Sequence, residues 1–172
     1  IGRLVGSEMC IRDRIYSAQG SGTQILLLDQ STFTVGEDSE VVMDTFIYDP
    51  KTNDGKIVAS VKQGSLKVIS GLISQKDPDS LTVTVPEGTL GSRGTEFQTI
   101  VSKGKTDTLL IGPGKNNTLG MRPGAVLASN KFGKTLLDNP YSVTSMSKGK
   151  APDKARKITR SQLKKFNKKM RA

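Results

Sequence analysis

The 172-residue sequence predicts an all-β domain of short antiparallel strands, and three observations carry that expectation. First, Leu81-Thr-Val-Thr-Val85 alternates apolar and polar positions, the period of a strand buried on one face. Second, 18 glycines and turn clusters such as Asp49-Pro-Lys-Thr-Asn-Asp-Gly55 and Lys76-Asp-Pro-Asp-Ser80 punctuate the chain at hairpin spacing. Third, no helical periodicity interrupts the pattern before residue 150. Strands recurring at about 8–15 residues fit a sandwich, a jelly roll or a β-roll. Residues 16–145 are therefore expected to hold no helix beyond two turns and no βαβ crossover.

The elements follow in order. Gln24 to Leu28 is apolar and ends at Asp29-Gln-Ser31, after which Thr32-Phe-Thr-Val35 alternates up to the turn Gly36-Glu-Asp-Ser39. Glu40 to Ile47 forms the next strand, and Asp54-Gly55 suits the positive φ of a hairpin before Lys56 to Val61. Gly64 and Gly71 bracket a separate strand, Ser65-Leu-Lys-Val-Ile-Ser70. With five Phe, three Tyr and no Trp, the core rests mainly on aliphatic side chains.

After Leu81 to Val85, Pro86 removes a backbone donor and should end the ladder. Gly88, Gly91 and Gly94 follow at intervals of three, a spacing that predicts a backbone-demanding corner before the strand Phe97-Gln-Thr-Ile-Val101. Within that corner Arg93 and Glu96 are the polar residues of interest. A buried Arg93 bracing carbonyls or a carboxylate is the structural expectation, and an exposed contact for a partner or anionic ligand is the alternative.

This stretch resembles the signature of the FecR domain: a Val-rich strand, a proline, and a small-Leu-Gly-x-Arg-Gly-Thr-x-Phe run. Its residues here are Pro86, Gly88, Gly91, Arg93, Gly94, Thr95 and Phe97. Leu26 to Asp44, Tyr48 to Thr52 and Lys62 to Gly71 are similar to the family's upstream elements, and Gly124 to Gly133 to its closing hairpin. The segment from about Thr106 to Pro123 departs from the pattern through an added loop, Gly112-Pro-Gly-Lys-Asn-Asn117. The resemblance covers roughly residues 16–145. It implies an exported or periplasmic bacterial protein that binds a protein partner in the cell envelope, with signalling to a sigma-factor regulator as a subsidiary role.

Charge divides the chain. Lys148 to Ala172 holds 11 of the 26 basic residues but one of the 16 acidic ones, which leaves 15 of each elsewhere. A neutral β domain has no basic surplus to line a groove, which argues against a nucleic-acid platform there. Ser147 to Asp153 reads as a flexible linker. Beyond it, Thr159 and Gln162 have capping-box spacing, and Ile158 is placed to pack on Leu163. Leu163, Phe166 and Met170 share one helical face, while Lys164, Lys165, Lys168, Lys169 and Arg171 surround it as candidate contacts to an anionic surface. Such a short helix is marginal alone, so it either docks or frays.

Composition also excludes chemistry. Without histidine there is no Ser-His-Asp or Cys-His arrangement, and the commonest metal ligand is missing. Gly112-Pro-Gly-Lys115 lacks the spacing of a phosphate loop, and Asp49, Lys51, Asn53 and Asp54 read as a turn rather than a calcium loop. Glu37, Asp38 and Glu40 read as solvated turn charges. No cofactor or metal is expected, and no catalysis. The rival readings are a carbohydrate-active enzyme with two convergent carboxylates and a nucleic-acid or anionic-surface binder through the tail. No apolar run approaches the ~20 residues of a membrane helix. At the start, Met9-Cys-Ile-Arg-Asp-Arg14 is what ATG TGT ATA AGA GAC AGx encodes and resembles a translated sequencing-adapter end. The expected organisation is a non-native segment at 1–14, a β domain at 15–146 and a basic linker and tail at 147–172. On that reading Cys10, the only cysteine, carries no native thiol chemistry, and any signal peptide would have been lost with the missing start, so its absence says nothing.

Overall fold

A computed structural model describes residues 2–3, 8–9, 13–77, 79–114 and 124–169. The strands are β1 (Gly2–Arg3), β2 (Glu8–Met9), β3 (Asp13–Ser17), β4 (Thr23–Leu26), β5 (Thr32–Val35), β6 (Ser39–Tyr48) and β7 (Gly55–Ile69). A short helix, α1 (Leu72–Lys76), precedes β8 (Leu81–Val85), β9 (Gly88–Arg93), β10 (Glu96–Ser102) and β11 (Lys105–Gly112). Then come β12 (Ala125–Asn130), β13 (Gly133–Leu137), β14 (Ser142–Ser147), β15 (Arg156–Lys157) and a terminal helix, α2 (Arg160–Lys169). The all-β expectation holds, as one curled, sandwich-like sheet of mostly antiparallel strands.

The curl comes from β7, whose 15 residues serve both halves. Its first part pairs with β6 and β8 in a back sheet that continues through β9, β12 and β13. Its second part pairs with β5 and β10 in a front sheet that continues through β11, β14 and β15. Gly64, expected to separate two strands, is instead the bend within one. It has φ +88°, and just before it the β6 register slips between Glu40 and Val41, leaving Lys62 of β7 unpaired. Ser39 locks the bend: its Oγ accepts the Ser65 N–H at 2.9 Å and donates to the Glu37 carbonyl at 2.9 Å.

Two pairings depart from the antiparallel expectation. β1 lies parallel to β4, and β8 lies parallel to β7 after a crossover through α1. A parallel neighbour requires such a crossover, and α1 is only five residues long. Its orphan N-terminal donors are met from a distance by Asp29, which is fully buried in the β4–β5 turn. The Asp29 carbonyl accepts the Leu72 N–H at 2.7 Å and its Oδ2 accepts the Ile73 N–H at 3.3 Å. In the Asp49–Gly55 turn, positive φ falls on Asn53 (φ +61°) and not on Asp54-Gly55. Gly55 is required for another reason, because a Cβ there would sit 2.1 Å from the Ile47 carbonyl oxygen.

Phe33, Phe46, Phe97, Leu66, Leu81, Leu90 and Leu110 fill the space between the sheets, fully buried, each such side chain stabilising by roughly 1.5–3 kcal/mol. A second cluster lies outside the front sheet, where Ile100, Leu109 and Val143 meet Phe166 of α2. Hence β10, β11 and β14 are buried on both faces, which explains why Phe97 to Val101 does not alternate cleanly.

The segment read as a linker is pinned to the sandwich. Asp153 N–H donates to the Ser145 carbonyl at 2.9 Å, and the Asp153 carbonyl accepts from Thr144 Oγ1 at 2.7 Å and Thr135 Oγ1 at 2.8 Å. Asn130 Nδ2 donates to the Lys150 carbonyl at 2.7 Å, and Pro152 is buried. Composition describes the solubility of Ser147–Asp153 but not the carbonyls that fasten it.

Candidate interaction surface

Pro86 and Glu87 form a two-residue turn between β8 and β9, closing at the Val85–Gly88 pair, so the proline ends the ladder as expected. The glycine run is not a corner, however: Gly88 to Arg93 is itself a strand. Gly88 is sterically fixed, since a Cβ would lie 2.3 Å from the Ser129 carbonyl oxygen. Around the Gly91 Cβ position there is nothing within 4 Å. Only Gly94, with φ +56°, turns the chain between β9 and β10. Just after it, Thr95 acts as a clasp, almost fully buried. Its N–H donates to Ser70 Oγ at 3.2 Å, its carbonyl accepts from that hydroxyl at 2.8 Å, and its Oγ1 donates to the Pro113 carbonyl at 2.9 Å. Phe97 then enters the core at 0% exposure.

Arg93 contradicts the expectation of burial. Its side chain is 57% exposed and its Nε donates to Asp79 Oδ1 at 3.0 Å, across a surface where Asp79 is 71% exposed. Such pairs contribute about 0–1 kcal/mol. Glu96 pairs with Lys67 at 2.9 Å on the outer front sheet. These positions set a graded expectation for urea unfolding. Gly88→Ala should cost about 2–3 kcal/mol through backbone overlap, and Gly94→Ala about 1 kcal/mol through φ alone. Gly91→Ala and Arg93→Ala should each stay within about 0.5 kcal/mol. Equal losses at Gly88 and Gly91 would contradict this order.

The capping box of α2 is realised in both directions: the Gln162 N–H donates to Thr159 Oγ1 at 3.2 Å and the Thr159 N–H to Gln162 Oε1 at 3.1 Å. Phe166 is buried against Ile100, Leu109 and Val143, with Ile158 and Leu163 packed around them. The dock is polar as well as apolar. Gln98, 3% exposed, donates from Nε2 to the Phe166 carbonyl at 2.8 Å, and Ser65 Oγ donates to the Lys169 carbonyl at 3.4 Å. Lys164, Lys165 and Lys168 are exposed and Lys169 is half-buried, while Met170 and Arg171 lie outside the described residues. Lys165 reaches Asp107 at 3.8 Å.

Among the described residues, surfaces with room for a partner include the following. At one end of the sandwich a cleft of about 890 Å³ gathers the β8–β9 turn, Gly104, Asn130, Lys131, Phe132 and Lys148. Its carboxylate, Glu87, accepts a hydrogen bond from Thr106 Oγ1. Lys131 Nζ lies 5.1 Å from the centre of the half-exposed Phe132 ring. The second surface is the outer face of the front sheet between β4 and α2. Here register places Leu26, Thr32, Ile69 and Glu96 in one row, and Gln24, Thr34, Lys67 and Gln98 in the next. Leu26 is 52% and Ile69 40% exposed. The second row runs into a groove of about 330 Å³ beside α2, lined by Lys67, Gln98, Leu109, Ile111, Tyr141, Leu163 and Asn167.

Sequence reasoning missed this face. Its one signal is Leu26, an apolar residue where the alternation around Ile25 and Leu27 leaves an outward position. Among the described residues no cluster of three or more His, Cys, Asp or Glu side chains could hold a metal, and no helix is long and apolar enough to cross a membrane. The loop residues 115–117 lie outside the described residues.

Comparison with known proteins places this geometry. The profile of the FecR protein family matches residues 13–111, from the start of β3 into β11. No curated protein matches the chain. Two crystal structures of a "putative anti-sigma factor" from Parabacteroides distasonis ATCC 8503, at 2.50 and 1.65 Å resolution, share the fold with TM-scores of 0.63 and 0.64 at 8% identity. They align with 90% and 88% of this chain, which spans 63% of theirs.

Proposed function

Because this chain belongs to the FecR family, a family of non-catalytic modules, we propose that it is a binding and scaffold module of the bacterial cell envelope that holds a protein partner on the outer face of its front sheet. The observation that carries the reading is the pair of exposed apolar side chains Leu26 and Ile69, on either side of Thr32 in one row that no described residue covers, on a face whose other half is packed under α2. An amphipathic protein segment lying beside α2 would place apolar side chains on Leu26, Ile69 and Tyr141. Carboxylates on that segment would meet the cations of α2. Passage of a signal to a sigma-factor regulator is the finer form of the proposal, supported by the family and by the description of the Parabacteroides protein.

The test is site-specific photo-crosslinking from position 69 in the envelope of the source cell. One discrete adduct to a membrane-anchored protein is expected, and Leu26→Glu should abolish it while leaving the melting temperature unchanged, since both positions are exposed. The same adducts from position 69 and from Lys103, on the β10–β11 turn, would refute the assignment of this face.

A further inference from the structure

We infer that the C-terminal strap and α2 form a peripheral docking face for an anionic lipid bilayer, acting by charge alone. The inference rests on how α2 is held. Phe166, Leu163 and Ile158 pack on the front sheet, so the residues that would insert into a bilayer are already occupied. At 100° per residue, Lys164 and Lys168 fall opposite Phe166 and Leu163, Arg160 lies on the flank beside them, and all three are exposed.

The strap extends this face. Its bonds to Ser145, Thr144, Thr135 and Asn130 fix the backbone across the sandwich, and Lys148, Lys150, Lys154 and Lys157 are held exposed along it. Within the described part of the segment, the ion pairs are Arg156 with Asp153 at 3.7 Å and Lys165 with Asp107 at 3.8 Å. Lys148, Lys150, Lys154, Lys157, Arg160, Lys164 and Lys168 are exposed, on a chain whose residues outside this segment sum to zero charge. The molecule is therefore polarised, with its whole net charge of +10 in this one segment. A field of that kind orients a protein on a charged plane.

A bilayer fits this face better than a nucleic acid. A helix that reads a duplex enters a major groove about 12 Å wide and is surrounded by it. One side of α2 is closed by the sheet, leaving only a convex cationic surface. Mobile lipid headgroups can gather under such a surface with no groove to match. Each cation near an anionic bilayer strengthens attachment roughly fivefold at low salt, and docked α2 adds no apolar, salt-insensitive part.

Sedimentation of the full chain with vesicles of phosphatidylglycerol and phosphatidylcholine tests the inference. Binding is expected at low salt, absent on pure phosphatidylcholine, and lost at about 0.5 M salt, where the Debye length shrinks to a few ångströms. Arg160→Gln, Lys164→Gln and Lys168→Gln together should weaken it on the order of a hundredfold with an unchanged melting curve. Lys148→Gln, Lys150→Gln and Lys154→Gln together should weaken it similarly, which separates the strap from the helix. Attachment that survives high salt would show α2 undocked and inserted, and would overturn the inference. So would failure to bind anionic vesicles, or equal affinity for a DNA duplex at the same salt.

Discussion

Gly64→Val should destabilise the protein by about 4 kcal/mol or more, enough to leave a typical domain largely unfolded at 37 °C. Two costs add at this residue. The backbone has φ +88°, where an L side chain pays roughly 1–2 kcal/mol and a β-branched one more. The new Cβ would also lie 2.0 Å from Ser39 Oγ and 2.5 Å from Ser39 Cα, an overlap worth a further 1–3 kcal/mol or more. Ser39 cannot step aside, because its hydroxyl holds the Ser65 N–H and its strand is paired with β3 and β7. Gly104 supplies the control: it has φ +74° and nothing within 4 Å of its Cβ position. Gly104→Ala should lose about 1 kcal/mol, and Gly64→Ala clearly more, by urea unfolding. Equal losses would mean that φ alone constrains residue 64 and that the contact with Ser39 yields.

That bend also marks where sequence reading stops. Alternation located β5, β6 and β8 well, because one face of each meets the core and the other does not. The same logic split β7 in two, since a glycine inside a strand and a glycine ending one look alike in a local pattern. The partner that distinguishes them, Ser39, lies 25 positions upstream. The crossover through α1 was invisible for a related reason. Its cap is Asp29, more than 40 residues away, so no helix-start signal stands next to Leu72. At Gly91 the spacing of three suggested a shared role for three glycines, whereas Gly88 is fixed by a neighbouring carbonyl, Gly94 by φ, and Gly91 by neither. The capping box of α2 was fully legible, because all its bonds lie within four residues. Of the candidate surface, the lysines were legible as types. Their outward display depended on the buried side of α2, which the tail's own periodicity indicated without naming its receptor.

Truncation after Ser147 should lower stability by on the order of 5 kcal/mol, and Phe166→Ala alone by about 3–4 kcal/mol. Phe166 is 2% exposed and sits on Ile100, Leu109 and Val143, each at 2% exposure or less. Removing the helix returns those side chains to water and leaves the Gln98 amide without the Phe166 carbonyl it bonds at 2.8 Å. The truncated chain lets that amide recover hydration, whereas Phe166→Ala keeps the backbone carbonyl and its bond to Gln98 and loses only the packing of the ring. Gly36 shows how close the dock is, since a Cβ there would lie 2.3 Å from the Lys169 carbonyl oxygen. That Cβ would also lie 2.1 Å from Ser65 Oγ, so Gly36→Ala should disturb both Ser65 on the sheet and the end of α2. Melting temperature and binding of a hydrophobic dye measure these effects together, with the truncated chain melting lower and binding dye on its uncovered sheet face. A Phe166→Ala protein that melts like the parent would place α2 off the sheet in solution. The tail would then act as a free cationic amphipathic segment, able to insert Leu163 and Phe166 into a bilayer.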